Sequence, residues 1–144
     1  MKRICLLSMI AALAAYAGGF YLTVDAAAKS TDPKAKGAFL TARLTGCHEA
    51  EKGILSASAE GIVQGKRQSI PLKLVKLDTP GAFAVARQWP EQGNWVVVLT
   101  ATHPAFEKPT VTAVPVHDNT IESARVKYSN IGPLTNADVD QLLR

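Results

Sequence analysis

Cys47 and His48 are the adjacent pair whose types suit joint chemistry, because a soft sulfur beside an imidazole can bind zinc, copper or haem iron, and an imidazole can activate a thiol. The spacing around the pair adds little. Covalent haem attachment needs a second cysteine three residues earlier, where Leu44 stands, and a zinc site needs three or four ligands, for which only His103 and His117 remain. If the chain forms a hairpin around Pro104 to Lys108, His103 pairs near Pro109 and His117 near Trp95. On a ladder rising about 3.4 Å per residue they then stand more than roughly 20 Å apart and do not share an ion. The expectation is a partly buried structural cysteine, with a small metal- or thiol-active centre on Cys47 and His48 as the alternative.

Glu49, Glu51 and Glu60 are the acid/base candidates, but Cys47 to Gly53 is charge-rich and unpatterned, as an exposed loop is, and no second group is spaced to cooperate. Neither a nucleophile elbow nor a glycine-rich phosphate loop is present. No enzyme activity and no cofactor are therefore expected. Trp89 and Trp95 flank the Pro90 turn, and two indoles around one loop, with Arg87 able to stack on Trp89, would make a contact platform for a protein or a carbohydrate. The competing reading puts Trp95 in the core at the start of a central strand.

The elements that hold these residues begin after an export leader. Met1-Lys2-Arg3 is followed by an uncharged run from Ile4 to Val24 and then by Ala26-Ala27-Ala28. A basic start, an apolar stretch and small residues describe a signal peptide over residues 1–28, and the length of the run keeps an uncleaved N-terminal anchor as the alternative. The protein is thus expected to be periplasmic or secreted, with membrane contact only if the leader stays on. Beyond residue 28 Cys47 is the one cysteine, so no intrachain disulfide forms and the fold rests on its core. The net charge of +4 is spread over scattered positions such as Lys34, Arg43, Lys66 and Lys76 without a dense basic run, which excludes nucleic acid as a partner.

Residues 29–36 are polar with a proline and read as a flexible linker. From 37 to 129 short apolar runs recur about every ten residues between Gly, Pro, Asp and Asn clusters, the spacing of an antiparallel sandwich or barrel. Seven runs are expected as strands. Ala38–Thr45 points Leu40, Ala42 and Leu44 one way, and Gly53–Gln64 does the same with Leu55, Ala57 and Ala59. Gly65-Lys66 is expected to form a type II′ turn into Gln68–Leu77, whose Pro71 marks an edge or a bulge. Phe83 and Val85 carry the fourth run, and Trp95–Leu99, apolar on both faces, is a central strand. Val111–Val116 and the stretch through Ala124, Val126 and Tyr128 complete the set. In the last segment, 130–144, Thr135 and Asp138 have capping-box spacing ahead of Val139, Leu142 and Leu143, which predicts a short helix.

The order Gly61-Ile62-Val63, Pro71-Leu72-Lys73-Leu74, Gly81-Ala82-Phe83-Ala84-Val85 and Pro90-Glu91-Gln92-Gly93-Asn94-Trp95-Val96-Val97 resembles the carboxypeptidase regulatory-like, transthyretin-like sandwiches over about forty residues. The resemblance implies a seven-stranded Ig-like sandwich that serves as an accessory or binding module. Gly-x-Trp strands also occur in small sandwiches related to copper-handling proteins, but both methionines, Met1 and Met9, lie in the leader. The sequence therefore predicts an exported, all-β, seven-stranded antiparallel sandwich with a short C-terminal helix, acting as a non-catalytic binding module.

Overall fold

Alternation of inward and outward side chains governs most of this chain, and the computed structural model, which describes residues 18–144, resolves it into strands. In chain order these are β1 (Phe20–Ala26), β2 (Leu40–Gly46), β3 (Ile54–Val63), β4 (Lys66–Pro71), β5 (Leu74–Lys76), β6 (Ala82–Val85), β7 (Asn94–His103), β8 (Phe106–His117), β9 (Thr120–Ile121) and β10 (Lys127–Ser129), followed by helix α1 (Asn136–Leu142). One antiparallel sheet has the order β1-β2-β6-β5; the other runs β10-β8-β7-β3-β4, with β9 also paired to β8. Residues 1–17 of the predicted leader lie outside the described residues.

Ten strands replace the expected seven, for three local reasons. The apolar run assigned to the leader ends in β1, where Phe20, Leu22 and Val24 alternate with Tyr21, Thr23 and Asp25. The expected third run divides, because Pro71 has no N–H to continue a ladder, and its two parts join different sheets. At that crossing the Gln88 side chain takes the place of a strand: its Oε1 accepts from Lys73 N at 2.9 Å and its Nε2 donates to Lys73 O at 3.1 Å. The seventh run breaks as well, because Ser123–Arg125, including Ala124, forms a 3₁₀ turn between β9 and β10.

The hairpin between β3 and β4 forms, but its turn is Gln64-Gly65 rather than Gly65-Lys66. Both central residues have positive φ, 51° and 73°, the signature of type I′, and Val63 pairs with Lys66. Pro71 sits on the edge strand, as expected. Segment 29–36 is an ordered connection and not a loose linker: Asp32 caps a 3₁₀ turn at Pro33–Ala35 by accepting from Lys34 N, its other oxygen accepts from Asp78 N, and Ala35 is buried.

Leu22, Leu40, Leu44, Phe83 and Val85 of the first sheet meet Leu55, Ala59, Trp95, Val97, Leu99 and Val114 of the second in one buried cluster. The run Trp95–Leu99 is apolar on both faces because β7 is central and its outer face is also covered. There Val96 and Ala113 pack against Val139 and Leu143, which dock α1 on the sheet. The predicted capping box forms, with Asp138 N donating to Thr135 Oγ1 and Thr135 N donating to Asp138 Oδ2. Arg67, Arg125 and Lys127 clamp the helix from the sheet side, pairing with Asp140, with the Gln141 carbonyl and with Asp138 respectively.

Candidate functional site

The two indoles do not form a platform. Trp95 is 2% exposed and its Nε1 donates to Gln92 O at 3.1 Å, while Trp89 is 5% exposed and lies edge-on to Phe39, with ring centroids 5.3 Å apart. Burial takes both ring faces, so Trp89 and Trp95 act as core and as a plug at the sandwich end. Arg87 pairs with Glu91 at 3.2 Å across the same loop. The core reading of Trp95 describes its place.

Cys47 is exposed rather than partly buried, because the chain leaves β2 at Gly46 and turns outward. His48 and Glu49 follow with φ of 65° and 56°, left-handed values that only a tight loop imposes on side-chain-bearing residues. The fold brings His103 to this same end. Phe106 stands between the two imidazoles, 5.9 Å from His48 and 5.6 Å from His103 by ring centroids. His103 has no free nitrogen: Nδ1 accepts from Ala105 N at 3.1 Å, so Nε2 carries the proton and donates to Glu49 O at 3.2 Å. Among the described residues no group of three His, Cys, Asp or Glu side chains is placed to hold a metal ion. His117 pairs with Asn94 at the far end of the β7–β8 hairpin, one position from where the sequence places it.

The sheet edges are guarded against strand addition. β4 carries Lys66, Arg67 and Pro71, and β5 is three residues long and ends in Lys76. On β1 two of the carbonyls turned away from β2 are taken internally: the Thr110 hydroxyl donates to Phe20 O and the Thr112 hydroxyl to Leu22 O, each at 3.1 Å. The remaining groups open to another molecule are side chains on the surface.

One surface feature gathers such side chains. Where β1, the edge of the first sheet, meets β8 and β10 of the second, a groove of about 550 Å³ opens between Tyr21 and Tyr128. The two tyrosines are 52% and 59% exposed, and the groove is lined further by Thr23, Thr45, Ser129 and Asn130, with no charged residue. Tyr128 also borders a second cavity of about 320 Å³ that reaches Val24, Leu40, Val114 and Val126. Phenol rings with hydroxyl and amide neighbours offer flat apolar faces and neutral hydrogen-bond partners together. Sequence does not bring the two tyrosines together, since Tyr21 falls in the stretch read as a leader and Tyr128 is read with Ala124 and Val126 as marking the seventh strand. The available signal is that each is a large aromatic at an outward position of an alternating strand.

Perturbed ionisation lies elsewhere among the described residues. The Lys127 ammonium, with the hydroxyl and N–H of Thr135, holds the Asp138 carboxyl far below the usual carboxylate range. N–H groups of Asp78 and Lys34 lower Asp32, and Asp78 raises Lys34. These groups staple α1 and the β1–β2 connection and do not line the groove. Comparison with family models, with curated proteins and with solved structures returned no match.

Proposed function

We propose that the chain is an exported, non-catalytic binding module of the Ig-like, transthyretin-like sandwich type, and that its ligand is a neutral saccharide held in the Tyr21–Tyr128 groove. The observation that carries this reading is the pair of half-exposed tyrosines facing an uncharged cleft of about 550 Å³. A large aromatic left half in water loses burial energy that a ligand surface restores. A saccharide presents C–H faces to the phenols and hydroxyls to Thr23, Thr45 and Asn130, and needs no charge from the protein. The guarded strand edges disfavour a peptide that binds by adding a strand.

The test is titration with hexamers of β-1,4-glucose, α-1,4-glucose and N-acetylglucosamine, followed by backbone amide shifts. One of them is expected to move the amides of Tyr21, Thr23, Tyr128 and Asn130, and Tyr21→Ala or Tyr128→Ala to weaken it about tenfold, as loss of roughly one stacked aromatic contact does. Shifts centred elsewhere, unchanged affinity in the double variant, or no shift with any of the three overturn the assignment.

A further inference from the structure

We propose that the peptide bond hydrolysed on export is Ala17–Gly18, so that the leader ends at residue 17 and β1 is the first strand of the mature domain. The inference rests on the export part of the function proposed above and is independent of the groove's ligand.

Strand β1 is built into the fold along its whole length. It pairs with β2 without interruption from Phe20↔Gly46 to Ala26↔Leu40, and Phe20 and Leu22 are 4% and 2% exposed. Removal after Ala28 strips that strand away. It uncovers Leu40 and Leu44 of β2, takes Phe20 from its stack on Phe106, and leaves the buried hydroxyls of Thr110 and Thr112 without the carbonyls they donate to. Each orphaned hydroxyl and each uncovered leucine is destabilising. A domain that must survive outside the cell without an intrachain disulfide cannot discard its edge strand in this way.

The leader sequence is complete without β1. After Met1-Lys2-Arg3, the stretch Ile4 to Ala14 is uncharged and has the length of a signal-peptide apolar region, about 7–15 residues, whereas a run extended to Val24 exceeds it. Ala15-Tyr16-Ala17 then places small residues one and three positions before the bond, the pattern that signal peptidases accept. Gly18 and Gly19 follow, and Gly19 O accepts from Cys47 N at 3.2 Å, so a tertiary hydrogen bond already holds the chain two residues past the proposed cut. Ala26 and Ala28 share the small-residue spacing, but Ala26 is paired in β1 and Ala27 is buried, with its N–H donating to Phe39 O. In the reaction one water adds across the Ala17–Gly18 amide under a signal peptidase. The C–N bond breaks, leaving a carboxylate on Ala17 and an ammonium on Gly18.

The full chain is to be expressed in an exporting bacterial host, and the protein recovered from each fraction read by intact mass and N-terminal sequencing. The expected product is found outside the cytoplasm and begins at Gly18. An exported product that begins at Lys29, or that keeps Met1, overturns the cleavage site while leaving export standing; a chain retained in the cytoplasm with Met1 overturns both. Two variants make the reading site-specific. Ala17→Lys is expected to accumulate uncut precursor, and Ala28→Lys, at an exposed position, to yield the same Gly18 start. Blocked processing in Ala28→Lys together with normal processing in Ala17→Lys overturns the proposal.

Discussion

Gly61 shows how closely single residues are fitted. It pairs across the sheet with Trp95, and a methyl group placed on it would lie 2.5 Å from Cε3 of the indole. The indole therefore lies on the bare backbone of β3, which is how a side chain that large is buried between the sheets. Gly61→Ala forces the ring or the strand to move and is expected to cost about 1–3 kcal/mol, read as a lower urea midpoint at an unchanged slope. At the same scale the sequence is a poor guide to exposure. Sequence offers Trp89 and Trp95 both as a contact pair and as core and cover, and burial settles on the second, whereas Tyr21 and Tyr128 are not proposed for contact and are half exposed. Which aromatic faces outward depends on the layers stacked above it, and adjacent residues do not encode that.

At the scale of elements, α1 is a seven-residue helix, too short to persist alone, and it exists because Val139 and Leu143 dock on β7 and β8. Asp138 links its cap to the sheet through Lys127, and that ion pair together with the Thr135 donors depresses the carboxyl's pKa. A carboxyl with a lower pKa folded than unfolded binds fewer protons in the folded state. Its contribution to stability is thus present in full above about pH 5 and lost as pH falls through the folded-state value. Acidification from pH 7 to pH 3 takes the solution below the ordinary carboxylate pKa, so the protection factor of the Leu143 amide, which donates to Val139 O, is expected to fall once the slower intrinsic exchange at low pH is divided out, before protection in the central strands responds. Asp138→Asn should show the lower protection already at pH 7. The capping box is local and legible in sequence as Thr135-Asn136-Ala137-Asp138, as is the Asp118-Asn119 turn between β8 and β9. The division of residues 66–76 between two sheets is not legible, because the alternation continues through Pro71 and only the Gln88 side chain, from another part of the chain, shows where the backbone leaves its ladder.

For the whole molecule, the decisive relation is between the first strand and the sheet opposite it. Thr110 and Thr112 on β8 bond to carbonyls of β1, so the side of the sandwich that carries the groove depends on residues ninety positions apart. A chain that begins at Lys29 is expected to give no cooperative urea transition, whereas one that begins at Gly18 unfolds in a single step; equal behaviour of the two would show that β1 is dispensable. Sequence alone determined the antiparallel β character, the central place of Trp95–Leu99 and the C-terminal helix with its cap. Each of these rests on side-chain period, turn chemistry or capping within a few residues. Tertiary structure alone decided that Phe20–Ala26 is a strand, that Trp89 is buried, that both nitrogens of His103 are occupied, and that Tyr21 and Tyr128 line one groove. These depend on pairing between distant segments, and an apolar alternating stretch is equally suited to an export leader or to a sheet edge until the partner strand that covers it is known.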